Sequence, residues 1–159
     1  MRNRIDIPEG LYGITGDNFA NGKSNYQCVE EMIKGGIKIV QYRDKRKNSR
    51  EKVEEAGAIR ELCRKNNVLF IVNDDVAIAM LVDADGVHVG QEDMAAGNAR
   101  AILGSDKIIG VSAHTVEEAV LAEKNGADYL GVGAAFQTGT KKDAGNISHE
   151  TIKQICEAV

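Results

Sequence analysis

Short β-branched apolar runs alternate along this chain with longer segments in which apolar residues recur every three or four positions, the signatures of buried strands and amphipathic helices. After a polar arm, Leu11-Tyr12-Gly13-Ile14-Thr15 reads as a first strand. Ser24 with Gln27 offers a capping box for a helix striped by Val29, Met32 and Ile33 and stopped at Gly35-Gly36. Residues 37–42 make the second strand. Asn48 with Glu51 then opens a long helix to Lys65, with Val53, Ala56, Ile59, Leu62 and Cys63 facing inward. The third strand, Leu69-Phe70-Ile71-Val72, runs out into Asn73-Asp74-Asp75, and a short apolar helix follows over 76–82. Residues 86–90, 107–111 and 128–133 supply three more strands, separated by helices from Asn98 to Leu103 and from Thr115 to a stop at Gly126. A polar loop over 137–146 precedes a final helix over 148–159.

No hairpin signal such as Asn-Gly joins adjacent strands, so six consecutive strand-helix units predict parallel strands with helical crossovers, an α/β fold. A weak internal echo supports the periodicity: Val82-Asp83-Ala84-Asp85-Gly86-Val87 and Asn125-Gly126-Ala127-Asp128-Tyr129-Leu130 share one helix-end-to-strand grammar. An open doubly wound sheet and a barrel both fit. Only a barrel gathers the carboxyl ends of strands two to six around one mouth, and polar residues mark all five of those ends, which favours the barrel.

Composition changes this picture little. The chain has 159 residues, 43% hydrophobic and 28% charged, enough apolar material for one globular domain over 1–159. Its 20 Lys plus Arg against 24 Asp plus Glu give a formal net charge of −4, which does not recommend a nucleic-acid partner, so any positive field must be local. Cys28, Cys63 and Cys156 are far apart and fall on helices, implying neither disulfides nor a zinc site, and a reducing cytoplasm fits. No apolar run is long enough to span a bilayer, and the start of the chain lacks the apolar core of a signal peptide.

The strand ends carry the candidate chemistry. They present Gln41, Arg43 and Lys45; Asn73 and Asp74; Asp93; Ser112 and His114; and Thr138, Thr140, Lys141 and Lys142. Taken alone, Asp74, Asp75 and Asp93 read as caps of the following helices. Together with basic residues at other tips they describe a diphosphate site, in which Arg and Lys bind phosphate oxygens and two acids hold Mg2+ against them. The run Arg43-Asp44-Lys45-Arg46-Lys47 has the plainer reading of a solvated charged loop. Ser112 and His114 lie two residues apart with no third orienting group, so a phosphate-binding serine is expected rather than a hydrolytic dyad. His88, inside a strand, is expected to be packed and hydrogen-bonded; Tyr12 and Phe136, near strand tips, are candidates to flank a planar ligand.

The stretches Gln41-Tyr42-Arg43-Asp44-Lys45, Val72-Asn73-Asp74, Ala84 through Asp93, Ile109 through His114, and Gly131-Val132-Gly133 through Thr138-Gly139-Thr140-Lys141-Lys142 resemble, in order, the thiamine-phosphate synthases. The resemblance implies a (β/α)8 barrel that joins hydroxymethylpyrimidine diphosphate to thiazole phosphate, with Mg2+, releasing pyrophosphate by a dissociative substitution. It implies that Gln41, Arg43, Lys45, Asn73, Ser112 and Lys141 hold the pyrimidine diphosphate, with Tyr42 and Asp44 within the same motif. Asp74 and Asp93 would hold the metal, and Thr138, Gly139 and Thr140 the thiazole phosphate. Arg43, Lys45, Ser112 and Lys141 would then carry the catalysis.

Two departures are visible. Gly139 stands where the family usually has a third consecutive threonine, and only about six of the family's eight strand-helix units are expected before Val159. A fragment, a truncated reading frame and a chain completed by another copy or partner are all compatible with this, and a homo-oligomer is among the expectations. Two rivals stand beside the synthase: a thiazole tautomerase of the same superfamily, in which a histidine comparable to His114 shuttles a proton, and a noncatalytic binding remnant. The tautomerases lack the acids and the threonine-lysine element, so Asp74, Asp93 and Lys141 favour the synthase.

Overall fold

The computed structural model describes residues 6–16, 22–136 and 147–159. Within them, strands β1 (Tyr12–Ile14), β2 (Ile39–Tyr42), β3 (Leu69–Asn73), β4 (Gly86–Val89), β5 (Ile108–Ala113) and β6 (Tyr129–Val132) alternate with helices α1 (Asn25–Lys34), α2 (Ser49–Lys65), α3 (Val76–Leu81), α4 (Ala96–Leu103), α5 (Val116–Lys124) and α6 (His149–Ala158). The strands pair in parallel in the order β1-β2-β3-β4-β5-β6. This ordering curls the sheet into a half-barrel. It curls far enough for Tyr12 on β1 to meet Tyr129 on β6, hydroxyl to hydroxyl at 2.7 Å.

Local chemistry sets most of the boundaries. Ser24 with Gln27 and Asn48 with Glu51 both form reciprocal capping boxes, and Thr115 accepts the Glu118 amide at the start of α5. Helix α4 begins at Ala96, two residues before the expected Asn98, because its cap is Ala95, whose side chain makes no capping bond and leaves no mark in the sequence. Strand β5 extends two residues beyond the expected Val111, which places Ser112 within the sheet.

Side chains alternate across a strand, and here the two faces have separate jobs. Outward residues Val40, Tyr42, Phe70, Val72, Val87, Val89, Ile109 and Val111 pack with the helices in the principal core. On the concave face Ile39, Ile71 and Ile108 close the base of the half-barrel, with Tyr12 and Tyr129 packed against them. One step nearer the carboxyl ends the same inward rows turn polar, at Gln41, Asn73, His88 and Ser112.

The internal echo has a structural cause. Asp85 accepts the Phe70 amide and pairs with Arg60 of α2; Asp128 accepts the Ile109 amide and pairs with Arg100 of α4. Each aspartate thus ties its own strand's entry to the preceding strand and to a helix. At the second site Arg100 also donates to the carbonyls of Gly104, Lys107 and Gly126.

Candidate active site

Two adjoining depressions open at the carboxyl ends of the strands. The inner one, about 630 Å³, lies in the mouth of the half-barrel and is lined among others by Gln41, Arg43, Asn73, His88, Ser112 and Tyr129. The outer one, about 440 Å³, lies over the β2 and β3 ends and is lined by Lys45, Lys52, Asn73, Asp74 and Met94 with Asp44. Asn73 lines both. Asn73 thus stands between the recess in the mouth and a rim that carries Lys45 and Asp74.

The loop after β2 owes its shape to Asp44. Its Oδ1 accepts the amides of Arg46 and Lys47, and its Oδ2 meets Lys47 Nζ and Asn25 Nδ2 at 3.2 Å each. Burial alone would push this carboxyl up, but the two amides and the Lys47 ammonium hold it down at about 2. Asp44 thus shapes the loop, and it also lines the outer depression, where the motif expectation places a substrate contact. Tyr42, of the same motif, is buried on the outer face of the sheet, away from the mouth, and its hydroxyl donates to Glu55 of α2 at 2.9 Å. Arg43 is oriented by Thr15, whose hydroxyl donates to the Arg43 carbonyl at 3.0 Å and accepts its amide at 2.8 Å.

At the next tip the Asp75 side chain caps α3 through the Ile78 amide, so here the plain reading holds. Asp74 does something else. Its backbone is left-handed, φ 63°, which aspartate tolerates better than most residues, and its carboxylate lies 3.2 Å from Lys45 Nζ and within hydrogen-bonding reach of Asp93. Asp93 is steadied by the Gly90 amide at 2.8 Å. Burial and the neighbouring Asp93 raise the Asp74 carboxyl above its ordinary value, and Lys45 only partly offsets them. Two carboxylates forced together at this rim fit a divalent cation. Among the described residues no group of three or more His, Cys, Asp or Glu side chains gathers, and two protein carboxylates are what a Mg2+ that also binds phosphates ordinarily takes.

Ser112 does not pair with His114. Its hydroxyl meets Nε2 of the buried His88 at 3.0 Å, while His114 Nδ1 lies 3.3 Å from Glu118. His88 is therefore packed and hydrogen-bonded as expected, but it also lines the inner pocket. The Ser112–His88 geometry is that of a nucleophile and base; the group on Nδ1, however, is the Tyr129 phenol at 3.0 Å, which burial pushes up and keeps neutral, where a hydrolytic triad has a carboxylate. Sequence reading misses Thr15, Tyr129 and Gln91, whose amide donates to the Ser112 carbonyl at 2.6 Å. Thr138, Gly139, Thr140 and Lys141 lie outside the described residues.

A curled parallel sheet with cations, an amide and paired acids at its strand ends defines a phosphate-handling enzyme of the (β/α)-barrel class. Residues 11–159 match the family model described as thiamine monophosphate synthase, and the chain belongs to that family. It is 48% identical over 149 residues to thiamine-phosphate synthase of Clostridioides difficile, covering 94% of this chain and 71% of that protein. To the enzyme of Pelotomaculum thermopropionicum it is 51% identical over 133 residues, covering 84% and 61% respectively. Among solved structures, thiamine phosphate pyrophosphorylase from Pyrococcus furiosus superposes with a TM-score of 0.82 at 40% identity, over 93% of this chain and 69% of that one.

Proposed function

We propose that this protein binds hydroxymethylpyrimidine diphosphate in the two adjoining depressions and couples it to thiazole phosphate, giving thiamine monophosphate and pyrophosphate. The observation that carries the reading is that Asn73 lines both depressions, with Arg43 in the inner one and Lys45 and Asp74 in the outer. The pyrimidine would lie against Gln41, and the diphosphate would run past Arg43, Ser112 and Asn73 to Lys45. Asp74 and Asp93 would hold Mg2+, which would neutralise charge on the diphosphate.

In this reading the carbon–oxygen bond to pyrophosphate breaks first, its electron pair leaving with the pyrophosphate. The resulting cation is stabilised by the pyrimidine and captured by the thiazole nitrogen. Arg43, Lys45 and the Ser112 hydroxyl stabilise the departing charge, and the walls hold the two reactants in line, so no protein nucleophile is required. The neutral phenol behind His88 accords with that. Lys141, Thr138, Gly139 and Thr140 are taken, by resemblance, to complete the cationic and thiazole-phosphate contacts. The substrates are small molecules. A reducing cytoplasm accords with the free state of Cys28, Cys63 and Cys156, and no helix among the described residues is long and apolar enough to cross a membrane.

The test is calorimetric titration of pyrimidine diphosphate with and without Mg2+, followed by an assay for thiamine monophosphate. Mg2+-dependent binding with product formation is the expected result. Binding without product would reduce the role to ligand capture, and absence of binding would overturn the reading. Asp93→Ala should abolish the Mg2+ dependence.

A further inference from the structure

Five side chains from five strands form one unbroken hydrogen-bonded row across the inner pocket. Gln41 Nε2 donates to the Tyr12 hydroxyl at 2.9 Å; Tyr12 and Tyr129 hydroxyls meet at 2.7 Å; Tyr129 meets His88 Nδ1 at 3.0 Å; His88 Nε2 meets Ser112 Oγ at 3.0 Å. Two glycines make room for it. His88, Gly110 and Tyr129 are register neighbours on β4, β5 and β6, and a Cβ on Gly110 would stand 2.5 Å from His88 Nδ1 and collide with the Tyr129 ring. A Cβ on Gly131 would stand 2.8 Å from His88 Cε1. Only glycine at these positions lets the imidazole and phenol reach each other across an intervening strand.

Proton bookkeeping gives the row a direction. Each phenol has one hydrogen. The Tyr12 oxygen accepts from Gln41 and has room for a second bond, but the acceptor that the row offers its own hydrogen is the Tyr129 oxygen, and a buried hydroxyl hydrogen left without an acceptor is costly, so the Tyr12 hydrogen is assigned to Tyr129. The Tyr129 hydrogen then goes to His88 Nδ1, so the ring proton sits on Nε2 and is donated to Ser112 Oγ. That leaves the Ser112 hydrogen to point into the pocket.

We infer that the Gln41 amide, acting through Tyr12, Tyr129 and the Nε2–H tautomer of His88, sets the Ser112 hydroxyl as a dedicated donor to an anionic ligand. This rests on the proposed function for the identity of the anion, a diphosphate. Tyr12, Tyr129 and His88 are positioning residues: they act on the ligand through Ser112. Burial raises both phenols above their ordinary value, which keeps them as neutral donors.

The tautomer is read directly by nitrogen-15 NMR of histidine-labelled protein without ligand. The wild type should show His88 protonated on Nε2. Gln41→Glu at alkaline pH, where the introduced carboxyl is ionised and can only accept, should reverse every bond and move the proton to Nδ1. Adding Tyr12→Phe should abolish that reversal. Tyr129→Phe should mix the tautomers and weaken binding of inorganic pyrophosphate with Mg2+ about tenfold, the worth of one charge-assisted hydrogen bond. An Nδ1–H wild type, a Gln41→Glu variant that keeps Nε2–H, a reversal that survives Tyr12→Phe, or unchanged pyrophosphate affinity in Tyr129→Phe would each overturn the inference. Because the tautomer belongs to the free protein, failure of the coupling assay would count against the synthase reading alone.

Discussion

Asp74 is where stability and function pull apart. Its partly buried carboxyl is raised by burial and by Asp93, so the folded state holds its proton more tightly than the unfolded chain does. Stability without Mg2+ should therefore fall as pH rises from the ordinary carboxylate value of 3.8 through the raised Asp74 value. Asp74→Asn keeps a residue that accepts the left-handed backbone and removes the repulsion. We expect it to melt about 2–4 °C higher than wild type in metal-free buffer, the shift that about 1 kcal/mol produces in a domain of this size, and to lose the Mg2+ response, both readable by scanning calorimetry. Asp44 has the opposite sign. Held at about 2, it contributes stability that is complete above 3.8 and is lost as pH falls through about 2. Asp44→Asn should flatten the acid limb of the stability curve between those values, as measured by urea unfolding. The same residue scale explains where Tyr42 points: Gln41 and Arg43 bracket it, and the two-residue period of a strand sends it to the other face, toward Glu55. That much was legible from the alternation alone.

The repeated aspartate clasp makes the elements cohere. Asp128 and Arg100 are largely buried, and Asp128 supplies the carboxylate that neutralises the guanidinium, whose Nε has no hydrogen-bond partner among the described residues. Removing one partner of such a pair strands the other's charge. Asp128→Ala should cost about 3 kcal/mol in chemical denaturation, while breaking the exposed pair Arg64–Glu61 should leave the denaturation midpoint essentially where it is. The capping boxes at Ser24 and Asn48 were legible because a cap is a contact three residues long. The clasp was legible only as an echo of wording, because its bonds join residues 15 to 28 positions apart.

At the scale of the whole molecule, six strands in sequence order bring β1 round to β6 at the Tyr12–Tyr129 contact. Ligand binding across Asn73 would tie the β2, β3 and β5 ends together. Pyrophosphate with Mg2+ at roughly a hundred times its Kd should stabilise the fold by about 2.7 kcal/mol, read as a rise in melting temperature, and either component alone should give much less.

What the sequence by itself determined is what short-range chemistry determines: the order of strands and helices, their caps, and which polar residues stand at strand ends. Those depend on alternation, propensity and contacts a few residues apart. The tertiary structure alone decided which strand-end groups share a space: that Ser112 meets His88 and not its sequence neighbour His114, that Asp74 meets Asp93, and that Asn73 lines two depressions. The physical reason is the curl of the sheet, a sum of small twists between neighbouring strands, which brings distant residues within a few ångströms and leaves no mark on any one segment.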